Sequence, residues 1–101
     1  MFFGYLPYGA ADTFLKKLQM AGCHKIVKES NPEGQSDLLE MAGSLKEGDV
    51  LILCRSGHAG SEAGFLDLLI LIGQAQAHFV SLEENLDTLR DTALHLTEVS
   101  R

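Results

Sequence analysis

Short apolar segments bounded by turn-forming residues alternate along this chain with longer segments of helical periodicity. This alternation constrains the fold more than any other feature. The clearest apolar segment is residues 50–54, a continuous aliphatic run that ends in a cysteine, and it is typical of a central strand buried on both faces. Three further strands are predicted over residues 2–8, 24–28 and 78–82.

Apolar residues at helical spacing predict four helices, over residues 10–21, 36 to about 45, 61 to about 75, and 84–99. Asp12 lies near the start of the first helix and Gly22 stops it, while Ser36 is expected to cap the second. Strand and helix alternating in this way predict a three-layer α/β fold. Its central sheet is expected to have four mostly parallel strands, joined by right-handed crossovers and flanked by helices.

The composition sets the size and the charge of this fold. The 101 residues are 46% hydrophobic and 22% charged, which predicts a single globular domain over residues 1–101. A formal charge of -6 argues against a surface for DNA phosphates, so direct DNA binding is not expected. Two cysteines, no signal-peptide pattern and no apolar run of membrane-spanning length predict a cytoplasmic protein that does not enter a membrane.

The segment after the third predicted strand, residues 54–61, is the richest in candidate chemistry, because functional groups gather at the carboxyl ends of parallel strands. Cys54 precedes Arg55 and a predicted helix, whose dipole would help the guanidinium to lower the thiol pKa. The run Cys-Arg-Ser-Gly at 54–57 resembles the active loop of rhodanese-type sulfurtransferases, which implies a sulfurtransferase or persulfide carrier. The alternative is that Cys54 simply completes a buried strand as a small hydrophobic residue.

Other polar residues predict no cofactor and no metal. The four histidines lie in separate segments, without the i, i+3 or i, i+4 spacing of a metal site; they are His24, His58, His78 and His95. The carboxylates of Glu83, Glu84 and Asp87 cluster after the fourth predicted strand, where a solvated turn is expected rather than acid–base chemistry.

A longer series of residues, taken in chain order, runs through most of residues 4–88: Gly4-Tyr5, residues 15–18, residues 21–23 with Lys25-Ile26, Leu38-Leu39, Leu45, residues 48–51, Gly60 and residues 78–88. This series resembles the catalytic domain of resolvase/invertase serine recombinases. Residues 78–88 are the most specific part, since family members have a strand there, followed by Ser-Leu, a polar stretch and Ile-Asp-Thr. The resemblance implies a resolvase-like fold in which a serine attacks a DNA phosphate and arginines with an aspartate stabilise the transition state.

The groups that this chemistry needs are replaced. Gly9 stands where the family has its nucleophilic serine, and Pro7 stands where it has the first arginine. Gly57, His58 and Ser61 replace the aspartate and two arginines of a later motif, in which Arg55 is the one basic residue kept. The resemblance therefore implies a recombinase homologue without strand-cleavage activity and without the helix-turn-helix domain. We expect it to act through protein contacts, as a homodimer or with a recombinase-like partner.

Overall fold

The computed structural model describes residues 1–84 and 86–87 of the chain. The strands are β1 (Phe2–Leu6), β2 (Lys25–Lys28), β3 (Val50–Leu53), β4 (His78–Ser81) and β5 (Leu86–Asp87). The helices are α1 (Asp12–Met20), α2 (Ser36–Gly43) and α3 (Glu62–Gln74), and a short 3-10 turn, Ser56–Ala59, precedes α3. The α/β class is confirmed, and four strands and three helices lie within a few residues of their predicted positions.

The sheet order is β2-β1-β3-β4-β5. The first four strands are parallel, and β5 is antiparallel to β4, with Asp87 opposite Val80 and Leu86 opposite Ser81. The connections that leave the neighbouring strands β1 and β3 run to opposite sides of the sheet order. The carboxyl ends of these two strands therefore flank the switch point where open α/β sheets form their ligand crevices.

The alternation of side chains in the central strands divides the core into two parts, one on each face of the sheet. On one face, Leu51 and Leu53 pack with residues of α2 and α3. On the other face, Ile52 and Cys54 pack with Leu18 of α1. The result is the predicted three-layer arrangement, with α1 on one side of the sheet and α2 and α3 on the other.

The helix predicted over residues 84–99 is wrong at its start. The Ser81 hydroxyl donates to the Glu84 carboxylate at 2.8 and 2.9 Å, and the chain turns back so that residues 86–87 pair with the edge of β4. This pairing satisfies backbone groups that an exposed edge strand would leave unpaired, which helical spacing of leucines does not reveal. Residues 88–99 of the predicted helix lie outside the described residues.

The predicted cap of α2 is also wrong. Ser36 is the first residue of the helix, and the preceding Gln35 makes no side-chain cap hydrogen bond. The carboxylate of Glu29 instead accepts hydrogen bonds from the backbone N–H groups of Asp37 and Leu38. A residue outside the helix, eight and nine positions before its partners, thus satisfies two of the N–H donors of the first helical turn. The predicted stop of α1 is correct, since Gly22 follows it with a φ of 86°.

Candidate functional site

The loops that follow β1 and β3 carry most of the residues singled out in the sequence. Pro7 and Gly9 lie in the first loop, and Cys54, Arg55, Gly57 and His58 lie in the second. Both loops are at the carboxyl edge of the sheet, beside the switch point. This edge is therefore the candidate functional site.

A cleft of about 200 Å³ opens after β1, and we call it the β1 cleft; it is lined by Leu6, Pro7, Tyr8, Gly9, Ala10, Ala11, Asp12, Leu15, Lys28 and Glu29. Gly9 makes the turn at its rim with a φ of 74°, a conformation that glycine adopts without strain. The Tyr8 phenol is the only hydroxyl among these lining residues, and Lys28 is the only cation beside the carboxylates of Asp12 and Glu29. The lining thus offers neither an aliphatic hydroxyl nor a guanidinium.

Glu29 is the one feature of this edge that the sequence did not single out. It follows β2 and is 4% exposed. Its carboxylate accepts the Tyr5 hydroxyl at 2.8 Å and the backbone N–H groups of Asn31, Asp37 and Leu38 at 3.2, 3.1 and 3.3 Å. Four donors and the positive end of α2 offset the cost of burying this carboxylate. No motif in the sequence indicated this role, because the expected cap of α2 was Ser36.

The phenol of Tyr5 is held in its protonated form and is one of the four donors to Glu29. Burial raises its pKa far above the ordinary value, and the neighbouring Glu29 carboxylate raises it further. The phenol therefore stays protonated at neutral pH and donates to Glu29. The pair connects β1 to the start of α2, and its geometry is that of a structural link across the carboxyl edge.

Cys54 follows β3 at this edge, but its side chain is buried. It is 2% exposed, and its thiol donates to the backbone carbonyl of Phe14 at 3.2 Å. Burial raises the thiol pKa, although Lys17 and Arg55 act in the opposite direction. The expected lowering of this pKa is not found, because desolvation outweighs the nearby positive charges.

Arg55 and His58 both pack against the ring of Phe14. The Arg55 guanidinium lies 5.0 Å from the ring centroid, and its Nε donates to Glu83 at 2.9 Å. The His58 ring meets the same phenyl edge to face at 4.8 Å. Burial lowers the His58 pKa and Arg55 lowers it further, and its buried Nδ1 has no hydrogen-bond partner within the described residues. These two side chains join the β3 loop to α1.

Ser61 begins α3. Its hydroxyl accepts the backbone N–H of Gly64 at 3.1 Å, which is a side-chain N-cap. Gly60 precedes it with a φ of 94°, and the Gln35 amide lies 2.7 Å from where a β-carbon on Gly60 would be. Position 61 therefore uses its hydroxyl to start a helix, and Gly60 lets the loops after β2 and β3 approach closely.

The remaining candidates are separate from this edge or occupied elsewhere. Glu83 pairs with Arg55 and Glu84 accepts from Ser81, and both are exposed in the predicted turn after β4. His24 accepts the backbone N–H of Phe2 through Nδ1 at 2.9 Å. Among residues 1–84 and 86–87, no three His, Cys, Asp or Glu side chains come together as a metal site. His95 and the side chain of Asp87 lie outside the described part.

None of the helices in the described part of the chain is long and apolar enough to cross a membrane. Comparison with protein families finds none that matches this chain, and no curated protein matches it in sequence. Assignment of a function therefore starts from the geometry of the carboxyl edge.

Proposed function

We propose that this chain is a non-catalytic homologue of the resolvase/invertase catalytic domain, related to site-specific DNA recombination, that acts through protein–protein contacts. The observation that carries the proposal is the β1 cleft. Its position beside the switch point is where an α/β enzyme would gather reacting groups, yet Gly9 and Pro7 line it where the family has a serine and an arginine. The sheet order β2-β1-β3-β4 with an antiparallel β5 is compatible with the relationship.

The charge of the β1 cleft supports the absence of strand cleavage. A phosphoryl transition state needs positive donors aimed at its oxygens. Two carboxylates, Asp12 and Glu29, line the cleft together with the single lysine, Lys28. Arg55, the basic residue kept from the later motif, pairs with Glu83 and packs on Phe14. We therefore expect neither attack on a DNA phosphate nor tight binding of one.

Exposed apolar side chains on α2 and α3 support a role in protein contacts. Leu66 and Ile70, one helical turn apart on α3, are 54% and 58% exposed, and Leu39 on α2 is 46% exposed. We call these three residues the helical patch. Neighbouring exposed apolar side chains, such as Leu66 and Ile70, are typical of an interaction surface. The patch would receive a second copy of the chain or a recombinase-like partner.

The decisive experiment incubates the purified protein with supercoiled plasmid that carries recombination sites, beside an active serine recombinase as positive control. We expect no nicking and no protein–DNA adduct on a denaturing gel, and Gly9→Ser should not restore either. A covalent 5'-phosphate adduct from the natural chain would overturn the proposal. Sedimentation of the natural chain and of Leu66→Glu then tests the helical patch, since association through it should weaken in the variant.

A sulfurtransferase or persulfide carrier that uses Cys54 is the other function raised by the sequence. It needs a thiolate that a substrate can reach. The burial of Cys54, the raised pKa of its thiol and the hydrogen bond to Phe14 all favour a neutral, enclosed thiol. The geometry therefore supports the recombinase-related proposal better.

A further inference from the structure

Strand β2 is the last strand at one edge of the sheet. It pairs with β1 on one side, and no strand within residues 1–84 and 86–87 pairs with its other side. The backbone N–H of Glu29 donates to the Leu6 carbonyl of β1, and the backbone groups of successive residues alternate sides along a strand. The N–H and C=O of Val27 therefore point toward β1, whereas those of Ile26 and Lys28 point outward. An outward row of donors and acceptors is a template for another strand.

The lysines at the two ends of β2 disfavour pairing with a second copy of the chain. The strand reads Lys-Ile-Val-Lys, so in an antiparallel pair about its centre Lys25 would lie opposite Lys28 of the second copy, and this contact would occur twice. Like charges directly opposite each other destabilise a strand pair, and lysines on edge strands commonly prevent edge-to-edge association. The edge is therefore suited to a strand of different chemistry.

A trough of about 300 Å³ lies between β2 and α2, and we call it the β2 trough. The residues that line it include Phe3, Lys25, Val27, Asp37, Glu40 and Met41. Phe3, Val27 and Met41 give the trough an apolar part, and Asp37 and Glu40, three residues apart on α2, place two carboxylates on its helical side. In a strand added beside β2, every second side chain would point to this face of the sheet and toward the trough.

The carboxylates decide which charge the β2 trough accepts. Asp37 accepts the backbone N–H and the hydroxyl of Ser30, each at 2.7 Å, and these hydrogen bonds lower its pKa, so it is ionised at neutral pH. Glu40 is exposed and makes no ion pair with any described residue. The trough has one ammonium, that of Lys25, against these two carboxylates, so negative charge is in excess. An arginine or lysine side chain fits, because its aliphatic stem packs on the apolar part while its cationic end reaches a carboxylate.

We propose that β2 and the β2 trough bind an extended peptide of a partner protein in which basic and apolar residues alternate. The peptide backbone pairs with Ile26 and Lys28 as an additional strand, and its basic side chains enter the trough beside Glu40. Its apolar side chains lie on the opposite face, next to the half-buried side chain of Ile26. None of the helical-patch residues lines the trough, so this is a separate contact surface, and the proposal does not depend on a relationship to recombinases.

Fluorescence anisotropy with a dye-labelled synthetic peptide, Gly-Val-Arg-Val-Arg-Val-Gly, tests the charge requirement. We expect saturable binding to the full chain below about 1 mM peptide, and loss of that binding when both arginines are replaced by glutamate. Glu40→Lys should weaken binding at least about fivefold, since it replaces an attraction by a repulsion. Asp67→Lys, the matched control on an exposed residue of α3, changes the net charge equally and should have little effect. Equal weakening by both variants would indicate general attraction to an acidic protein and would overturn the proposal.

Amide hydrogen exchange of the natural chain, resolved residue by residue by NMR, tests the strand pairing. Saturating peptide should slow exchange of the outward Ile26 and Lys28 amides at least about tenfold and should change that of Val27 little, because the Val27 N–H already bonds to β1. Bound peptide that leaves the outward amides unchanged would contradict the proposal. Slow exchange of both before peptide is added would also contradict it, since a second copy or another segment of the chain would then cover the edge. Leu66→Glu, which tests the helical patch, should leave peptide binding unchanged, so the two surfaces are tested separately.

Discussion

Replacing Glu29 by glutamine should be among the most destabilising single-atom changes in this protein. The variant keeps the size and shape of the side chain but exchanges one carboxylate oxygen for an amide NH₂. In the natural chain one oxygen accepts from Tyr5 and Leu38 and the other from Asn31 and Asp37. If the amide nitrogen faces Asn31 and Asp37, two backbone N–H donors face another donor. If it faces Tyr5 and Leu38, the Tyr5 hydroxyl can turn to accept from it, but the buried Leu38 N–H faces a donor.

The magnitude follows from the contacts. Each buried donor left without an acceptor costs about 1–3 kcal/mol, and losing the negative charge at a helix N-terminus costs about 0.3–1 kcal/mol more. The Asn31 amide is only partly buried, so water replaces part of its lost bond. We expect Glu29→Gln to lower the free energy of unfolding by about 3 kcal/mol. For a domain of this size, that is a fall in Tm of roughly 12–24 °C.

Urea unfolding followed by circular dichroism measures this difference directly. Glu33→Gln, a change of the same chemistry on an exposed residue of the same loop, is the matched control and should stay within about 0.5 kcal/mol of the natural chain. Tyr5→Phe removes one of the four donors and should cost about 1 kcal/mol. A loss below about 1 kcal/mol for Glu29→Gln would refute the reasoning that this carboxylate holds the start of α2.

Three further predictions test the carboxyl edge. Because burial lowers the His58 pKa, the unfolded chain binds the imidazole proton more tightly than the folded chain does. This residue should therefore lower the free energy of unfolding as the pH falls from 7 to 5. The variant His58→Phe should show a smaller fall in Tm over the same pH range. Gly60→Ala should cost about 1–3 kcal/mol, mainly because its φ of 94° strains a residue with a β-carbon, and the Gln35 amide 2.7 Å from that β-carbon would also have to move. The control Gly43→Ala, in open space on α2, should be neutral or stabilising. Finally, iodoacetamide should modify Cys54 more slowly than it modifies the same thiol in urea, because burial keeps it protonated and enclosed; equal rates would contradict the described packing.

The fold could be predicted from the sequence in the segments where burial imposes a regular spacing on the apolar residues. The run at 50–54 is apolar at every position because β3 is covered on both faces at its centre, and Leu51 and Ile52 do pack into different cores. The predicted start of the last helix was wrong for the opposite reason. Leu86 fits a helical pattern equally well, but the backbone pairing of Leu86–Asp87 with β4 places it in a strand, and two residues carry no measurable period.

The carboxyl edge was predictable in position but not in chemistry. The sheet topology alone places the loops after β1 and β3 at the carboxyl edge. The alternation of strands and helices in the sequence was enough to infer this position. The state of each side chain depends on neighbours distant along the chain. Glu29 becomes a helix cap because Asp37 and Leu38 come within hydrogen-bond distance, and burial raises the pKa of Cys54 because α1 packs over it.

The reactive side chains of this edge have one thing in common, which bears on the proposed function. An active site keeps its hydroxyls and cations available so that they interact more strongly with the transition state than with the protein. Here the Ser61 hydroxyl caps the N-terminus of α3, and the Glu29 carboxylate caps the N-terminus of α2. Arg55 pairs with Glu83 and packs on the ring of Phe14. Withdrawing any of them to serve a substrate would cost stability. Groups held in this way stabilise the fold, which is compatible with the proposed role in protein contacts.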